Sequence, residues 1–328
     1  MHPHRRCGAT LNFLIALIIP VLTAGAVQAE SFRIVNCDTF IDQTGRQIRV
    51  EQPFQRIISL YGAHTENLFS LGLDEHIIGV ERNASHPKKA HEKTAFSYHD
   101  DPERFLAHRP DLVLIRPMID RGYAQLVQRL RAHGIEVVSL QPGTVADMYV
   151  YWEILGMLTG RKEAARQMAA VFKEAVAGLS SLVKDVAPKK RVYFEAIHGK
   201  MKTFTPNSMA VFALETAGGI NIASDAVAVR GTNIAYYGKE QILAKGSQID
   251  VYLAQAGTMN RPTVTMIKDE PGYEIITAVR NNRIHIIEEQ IVSRPTLRLL
   301  IGIETIGQIL YPDVFSKEKT AWIKHINF

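Results

Sequence analysis

Between Arg161 and Val186 the chain holds no proline and a single glycine. Ala165, Met168, Phe172, Val176, Leu179, Val183 and Val186 fall there at steps of three and four, the period of a helix with one apolar stripe. At 1.5 Å per residue that is a rod of about 39 Å, longer than a globular domain usually needs. Pro188-Lys189-Lys190 closes it. The same texture lies on both sides of the rod. Short apolar runs at Ile57–Leu60, Ile77–Val80, Leu112–Ile115 and Val137–Leu140 precede it, and runs at Val192–Ala196, Val251–Ala254 and Ile284–Ile287 follow. Amphipathic segments separate most of them, and strands alternating with helices argue for parallel, doubly wound sheets. The expected fold class is α/β: one lobe over residues 30–160, an interlobe helix over 161–187, and a second lobe over 188–328. Phe32–Val35 and Gln47–Val50 read as two strands leading in, with a Thr-Gly-Arg turn between them. The first helix of the first lobe opens at His64-Thr65-Glu66-Asn67, with Thr65 expected as N-cap and Glu66 in the first turn.

The beginning of the chain points to export. Arg5 and Arg6 precede an apolar run from Leu11 to Leu22, and Val27-Gln28-Ala29 offers small residues at −3 and −1. That is the layout of a cleavable signal peptide over residues 1–29. The apolar run is too short to span ~30 Å of hydrocarbon comfortably, and no second stretch approaches that length. The residues after the paired arginines are Cys-Gly-Ala, so ordinary secretion is expected rather than the twin-arginine route. Cys7 leaves with the signal, and Cys37 then stands alone. An exported chain with no internal disulfide depends on its core, and about 300 residues suffice for two. The formal charge of +5 becomes +3 without Arg5 and Arg6, and no run of Lys and Arg suggests nucleic acid. A monomer is expected.

Catalytic signatures are absent: no G-x-S-x-G elbow, no H-E-x-x-H, no Walker A and no paired C-x-x-C. The chain reads as a non-enzyme with no cofactor of its own. The rival is a secreted metal-dependent hydrolase, for which His86, His91 and His99 cluster with Asp100 and Asp101. Without i, i+4 ligand spacing, a solvated loop with scattered histidines outweighs it.

Open α/β sheets bind ligands beyond the carboxyl ends of their strands. That rule selects Tyr61, His64, Glu81, Arg82, Tyr98, His99, Arg116 and Met118 in the first lobe. In the second it selects His198, Met201, Arg230, Tyr236, Tyr237, Met259, Arg261 and Arg294. Guanidinium pairs bidentately with carboxylate, and Tyr or His can complete an iron shell, so the set suits a large anionic metal complex. Taken singly, each residue reads equally as a packing tyrosine or a solvated arginine. His64 and Tyr236 head the set because the rule places them at loop tips. A faint internal echo adds a second pair. Asp101 to Ala107 and Gly238 to Ala244 each put a glutamate, Glu103 or Glu240, in the first turn of a helix leading to an Asp-led strand.

From Arg56 to Val80, RIISLYGAHTENLFSLGLDEHIIGV resembles the class III periplasmic binding proteins, the iron-siderophore, haem and vitamin B12 binders of ABC importers. PERFLAHRPDLVLI, LRAHGIEVVSLQP, LGMLTGRKEAA and AVRNNRIHIIEEQ are similar to that family in the same order. The resemblance implies two Rossmann-like lobes with central sheets, joined by a single long backbone helix. It also implies a ligand cleft between the lobes with modest closure, a periplasmic location, and a permease and its ATPase as partners. Docking through one surface glutamate per lobe, against permease arginines, falls by the same resemblance to Glu103 and Glu240. The motifs are specific for the family and not for the ligand. Arg82, Arg116, Arg230, Arg261 and Arg294 against few cleft acids favour a ferric siderophore or haem over a corrinoid. A free metal ion comes third, since Glu81, His64, His99 and His198 would have to converge on one point.

Overall fold

The computed structural model describes residues 32–228, 232–316 and 320–326, with the backbone alone at 324 and 325. The signal peptide, Cys7 and Arg230 lie outside the described residues.

Strands β1 (Arg33–Ile34), β2 (Thr39–Ile41) and β3 (Gln47–Arg49) form a small antiparallel sheet. Asp42 makes its turn: Oδ1 accepts from Thr44 N (2.9 Å), Thr44 Oγ1 (2.7 Å) and Arg46 N (3.1 Å). The Asp side chain thus supplies the acceptor that a tight turn needs.

The first lobe follows as β4 (Ile57–Ser59), α1 (Gly62–Ser70), β5 (Ile77–Glu81), β6 (Thr94–Phe96), α2 (Pro102–His108), β7 (Leu112–Ile115), α3 (Pro117–Gly122), α4 (Ala124–Ala132) and β8 (Glu136–Ser139). Its five strands are all parallel in the order β6-β5-β4-β7-β8. From β4 the chain runs outward through β5 and β6, then crosses back to β7 and β8. The rim between β4 and β7 is therefore a topological switch point. Period two divides β7 between faces: Leu112 and Leu114 enter a large core, Val113 and Ile115 a smaller outer one.

Helix α5 (Val145–Thr159) opens with a reciprocal cap: Thr144 Oγ1 accepts from Asp147 N (3.1 Å), and Asp147 Oδ2 accepts from Thr144 N (3.0 Å). Gly160 ends it at φ 70°. Helix α6 (Lys162–Leu182) is the long rod, 21 residues or about 32 Å. It stops a turn before the expected end, where Val183 leaves helical geometry and packs on Gly218.

The second lobe comprises β9 (Arg191–Ile197), β10 (Lys202–Phe204), α7 (Met209–Thr216), β11 (Ile220–Asn221), β12 (Val227–Ala228), β13 (Ile234–Tyr236), α8 (Lys239–Ala244), β14 (Val251–Ala256), α9 (Val264–Lys268), α10 (Thr277–Arg280), β15 (Ile284–Glu288), α11 (Glu289–Val292) and α12 (Leu299–Leu310). Its sheet is mixed: β9, β11, β14 and β15 pair in parallel, whereas the pairings β9–β10, β10–β13 and β13–β12 are antiparallel. The cause is local. His198 to Met201 joins β9 to β10, with Met201 at φ 46°, and so short a connection permits only an antiparallel return.

One apolar core runs through both lobes. It joins the inner faces of β4, β7 and β9 to α5, α6, α7 and α12, around the fully buried Trp152 and Phe172. No helix among the described residues is long and apolar enough to cross a membrane.

Candidate functional site between the lobes

Helix α1 begins at Gly62, four residues earlier than a cap at Thr65 would place it, with Tyr61 as N-cap and no side-chain cap. Thr65 lies inside the helix instead, its hydroxyl 2.9 Å from that of Ser59. The earlier start follows from Gly62 and Ala63, small residues that let the chain turn straight off β4. It turns His64 inward and buries Glu66.

Tyr61 at the end of β4 and Arg116 at the end of β7 meet at the switch point, with the Arg116 guanidinium carbon 4.7 Å over the Tyr61 ring. Such a stack is worth about 0.5–2 kcal/mol, depending on desolvation. Burial pushes the Tyr61 hydroxyl up to about 12, opposed by Arg294 and Arg116 and aided by Glu289 and Glu66. Arg294 and Glu289 belong to the second lobe, so the stack lies on the lobe boundary. Glu81, at the end of β5, is also raised by burial, against the pull of Arg116, Arg294 and the Gly62 amide. The buried Nε of Arg116 has no hydrogen-bond partner.

Glu66 lies deeper. Arg294 Nη1 stands 3.0 Å and Arg298 Nη1 3.4 Å from its Oε1, and its side chain is 3 % exposed. Burial raises its pKa even against those two guanidinium groups. Glu66 is thus the fifth residue of α1 and not, as expected, a first-turn carboxylate at its N-terminus. Arg294 is committed to Glu66, and a side chain at Gly62 would place its Cβ 2.4 Å from Arg294 Nη1. Sequence reasoning passed over Glu66, Gly62 and Glu289 as site residues. Arg294 and Arg298, four residues apart in the loop that leads into α12, were the available signal for a buried carboxylate between them.

Other expected residues separate into three groups. His64 is not at a loop tip: it is fully buried, with Nδ1 2.7 Å from the Tyr151 hydroxyl and Nε2 3.2 Å from the Ile115 carbonyl oxygen. His198 and Tyr237 are likewise buried. His198 Nδ1 lies 2.9 Å from Glu195 Oε2, which also accepts from the Tyr252 hydroxyl. That bond to Glu195 holds the His198 pKa above its usual value against burial. Tyr237 donates to Asp225 (3.0 Å), and burial raises its hydroxyl. Its neighbour Tyr236 is 63 % exposed, because adjacent strand residues take opposite faces.

At the rim of the first lobe, Arg82 lies 3.6 Å from Asp100, which also binds Arg104 at 3.0 Å. Tyr98 and His99 gather with Tyr123, ring centroids 4.5 to 5.0 Å apart. With Arg121 and Arg129 they line a concavity of about 650 Å³ made wholly by the first lobe. Tyr123 was missed because it sits between two helices, not after a strand. Met259 and Arg261 are exposed beyond β14.

No three His, Cys, Asp or Glu among the described residues converge to hold a metal ion. His91 is exposed on a short turn, and Asp100 is taken by two arginines, so the hydrolase cluster does not assemble. Bare-metal binding fares no better: His64 uses both ring nitrogens and His198 uses Nδ1.

Glu103 and Glu240 occupy equivalent places. Each is the second residue of its helix, α2 or α8, and each helix leads to the strand beside its lobe's first strand, β7 on β4 and β14 on β9. Both are exposed, and Glu103 lies 3.9 Å from Arg129.

A family model described as periplasmic binding protein matches residues 57–291. An uncharacterized ABC transporter substrate-binding lipoprotein of Bacillus subtilis is 24% identical over 289 residues, 85% of this chain and 87% of that one. A cobalamin-binding protein of Halobacterium salinarum is 25% identical over 289 residues, covering 86% of this chain and 75% of its own. The crystal structure of a possible iron-binding, periplasmic solute-binding protein from Staphylococcus epidermidis superposes with a TM-score of 0.69 at 25% identity, over 79% of this chain and all of that one.

Proposed function

We infer the function from one premise: the chain belongs to the periplasmic binding protein family. Our reading is that it is the substrate-binding component of an ABC importer, exported by cleavage after Ala29. It captures a bulky metal chelate between its lobes and delivers it to the permease and its ATPase. The observation that carries this is the Tyr61–Arg116 stack at the strand switch point, facing Glu289 and Arg294 of the other lobe. Stacked on an aromatic ring and in no ion pair among the described residues, Arg116 keeps its terminal guanidinium nitrogens for an incoming carboxylate or hydroxamate.

The acid–base balance is closer than the arginines suggested. Arg294 is held by Glu66 and Arg82 faces Asp100, while Glu81 lies within the field of both Arg116 and Glu289. Arg116, with the exposed Arg261, then carries the preference for an anionic ferric siderophore or haem. Tyr98 and the exposed Tyr236 would flank such a ligand from the two rims. A corrinoid is the second reading, favoured by the cobalamin-binding relative and by these neutralising carboxylates. Absorbance titrations of wild type and Arg116→Ala with a ferric siderophore, haemin and cyanocobalamin separate the two. An anionic ligand loses more than about tenfold in affinity on the substitution, because a charged hydrogen bond is worth about 1.5 kcal/mol or more. A neutral corrinoid keeps its affinity.

A further inference from the structure

The segment from Ser293 to Arg298 ties the second lobe to the first. Arg294 and Arg298 clasp Glu66 at 3.0 and 3.4 Å, and all three side chains are at most 12 % exposed. One residue along α1, Asn67 Nδ2 donates to the Pro295 carbonyl oxygen (2.9 Å), and Asn67 Oδ1 accepts from Trp152 Nε1 (3.1 Å). Outside the clasp, Gln290 Oε1 accepts from Ser85 Oγ (3.0 Å) and from Arg298 Nη1 (3.4 Å). The tie therefore links α1, whose N-cap is Tyr61, to the entry of α12.

We propose that Glu66, Arg294 and Arg298 form a positioning clasp that fixes the lobe spacing before ligand arrives, with Arg294 acting on the cleft through α1 rather than by touching ligand. Three points carry it. Burying such a group gives little net stability, since apolar replacements of similar volume are often neutral or stabilising. What three fixed charged side chains do supply is direction, because a carboxylate held by two guanidinium groups allows few alternative arrangements. And Gly62, where any Cβ would strike Arg294 Nη1, keeps the guanidinium seated against the backbone beneath Tyr61. A cleft set in advance loses less freedom on binding, so the clasp slows ligand release. That last consequence rests on the ligand reading above; the clasp itself does not.

The test needs no ligand. In a Cys37→Ser background, spin labels at Gln128→Cys and Arg280→Cys, both exposed and on opposite lobes, report lobe separation by pulsed electron resonance. A variant with Glu66→Met, Arg294→Met and Arg298→Met leaves no charge buried. The clasp predicts that it melts near the wild type while its distance distribution gains a second, longer population. A single distance as narrow as the wild type's in that variant overturns the proposal. Should the triple variant not fold, Glu66→Gln, which keeps shape and one acceptor, carries the same test. An unchanged distribution there sinks the clasp as well.

Discussion

Ile115 offers His64 only a carbonyl oxygen, so Nε2 must donate, and Nδ1 then accepts from the Tyr151 hydroxyl. The ring is neutral, and burial pushes its pKa down to about 3, from an ordinary value of 6.5. Between those values the unfolded chain binds a proton that the folded one refuses. The contribution of His64 to stability is therefore complete above about pH 6.5 and is lost as pH falls, at about 1.4 kcal/mol per pH unit at most. Glu66 and Glu81, raised by burial, act with opposite sign, since they favour the folded state in acid. Urea melts of wild type and His64→Gln between pH 3.5 and 6.5 separate the terms: the variant is expected to lose the His64 part of the slope. Parallel pH profiles would contradict it. At this scale the sequence placed residues near strand ends but not on faces. Three residues beyond Tyr61 on α1, His64 points inward, and Tyr236 and Tyr237 diverge within one peptide bond. Side-chain direction there depends on where a helix or strand begins, and α1 begins four residues earlier than a cap at Thr65 would place it, with His64 and Glu66 both buried.

The elements were more legible than their ends. The apolar runs at Leu112–Ile115 and Val251–Ala254 lie within β7 and β14, and the three-and-four spacing from Ala165 to Leu179 forms α6. Short or weakly apolar strands escaped: β6, β10 and the β12–β13 pair carry two or three residues each and show no alternation to read. The antiparallel half of the second sheet was hidden for the same reason. The reciprocal cap on α5 gives an element-scale prediction. Thr144→Ala leaves the Asp147 amide without its acceptor and is expected to cost about 1 kcal/mol in chemical denaturation. A variant as stable as the wild type would show that the cap contributes nothing to α5.

Across the whole molecule, the duplicated placement of Glu103 and Glu240 supports a role outside the cleft. Each gains only about 0.3–1 kcal/mol from its helix N-terminus, so Glu103→Ala with Glu240→Ala is expected to leave melting temperature and ligand affinity nearly unchanged. Against permease arginines the same carboxylates would govern encounter and register, so the double variant should bind ligand yet fail to support uptake. Uptake at the wild-type rate would remove both residues from the docking surface. The ligand was the least legible feature, because arginine counts in the sequence do not show which guanidinium groups are already paired. Among the described arginines of that set, Arg82 faces Asp100 and Arg294 is held by Glu66, which leaves Arg116 and Arg261. The most direct measurement is accordingly a fluorescence and absorbance titration of the purified mature protein with ferric siderophores, haemin and cyanocobalamin, repeated with Arg116→Ala and Tyr61→Ala. One metal chelate binding at one-to-one stoichiometry, micromolar or tighter, and weakened more than about tenfold by Arg116→Ala, is the predicted result. A folded protein that binds none of them, or binds one equally well in both variants, would contradict a metal-chelate site between the lobes.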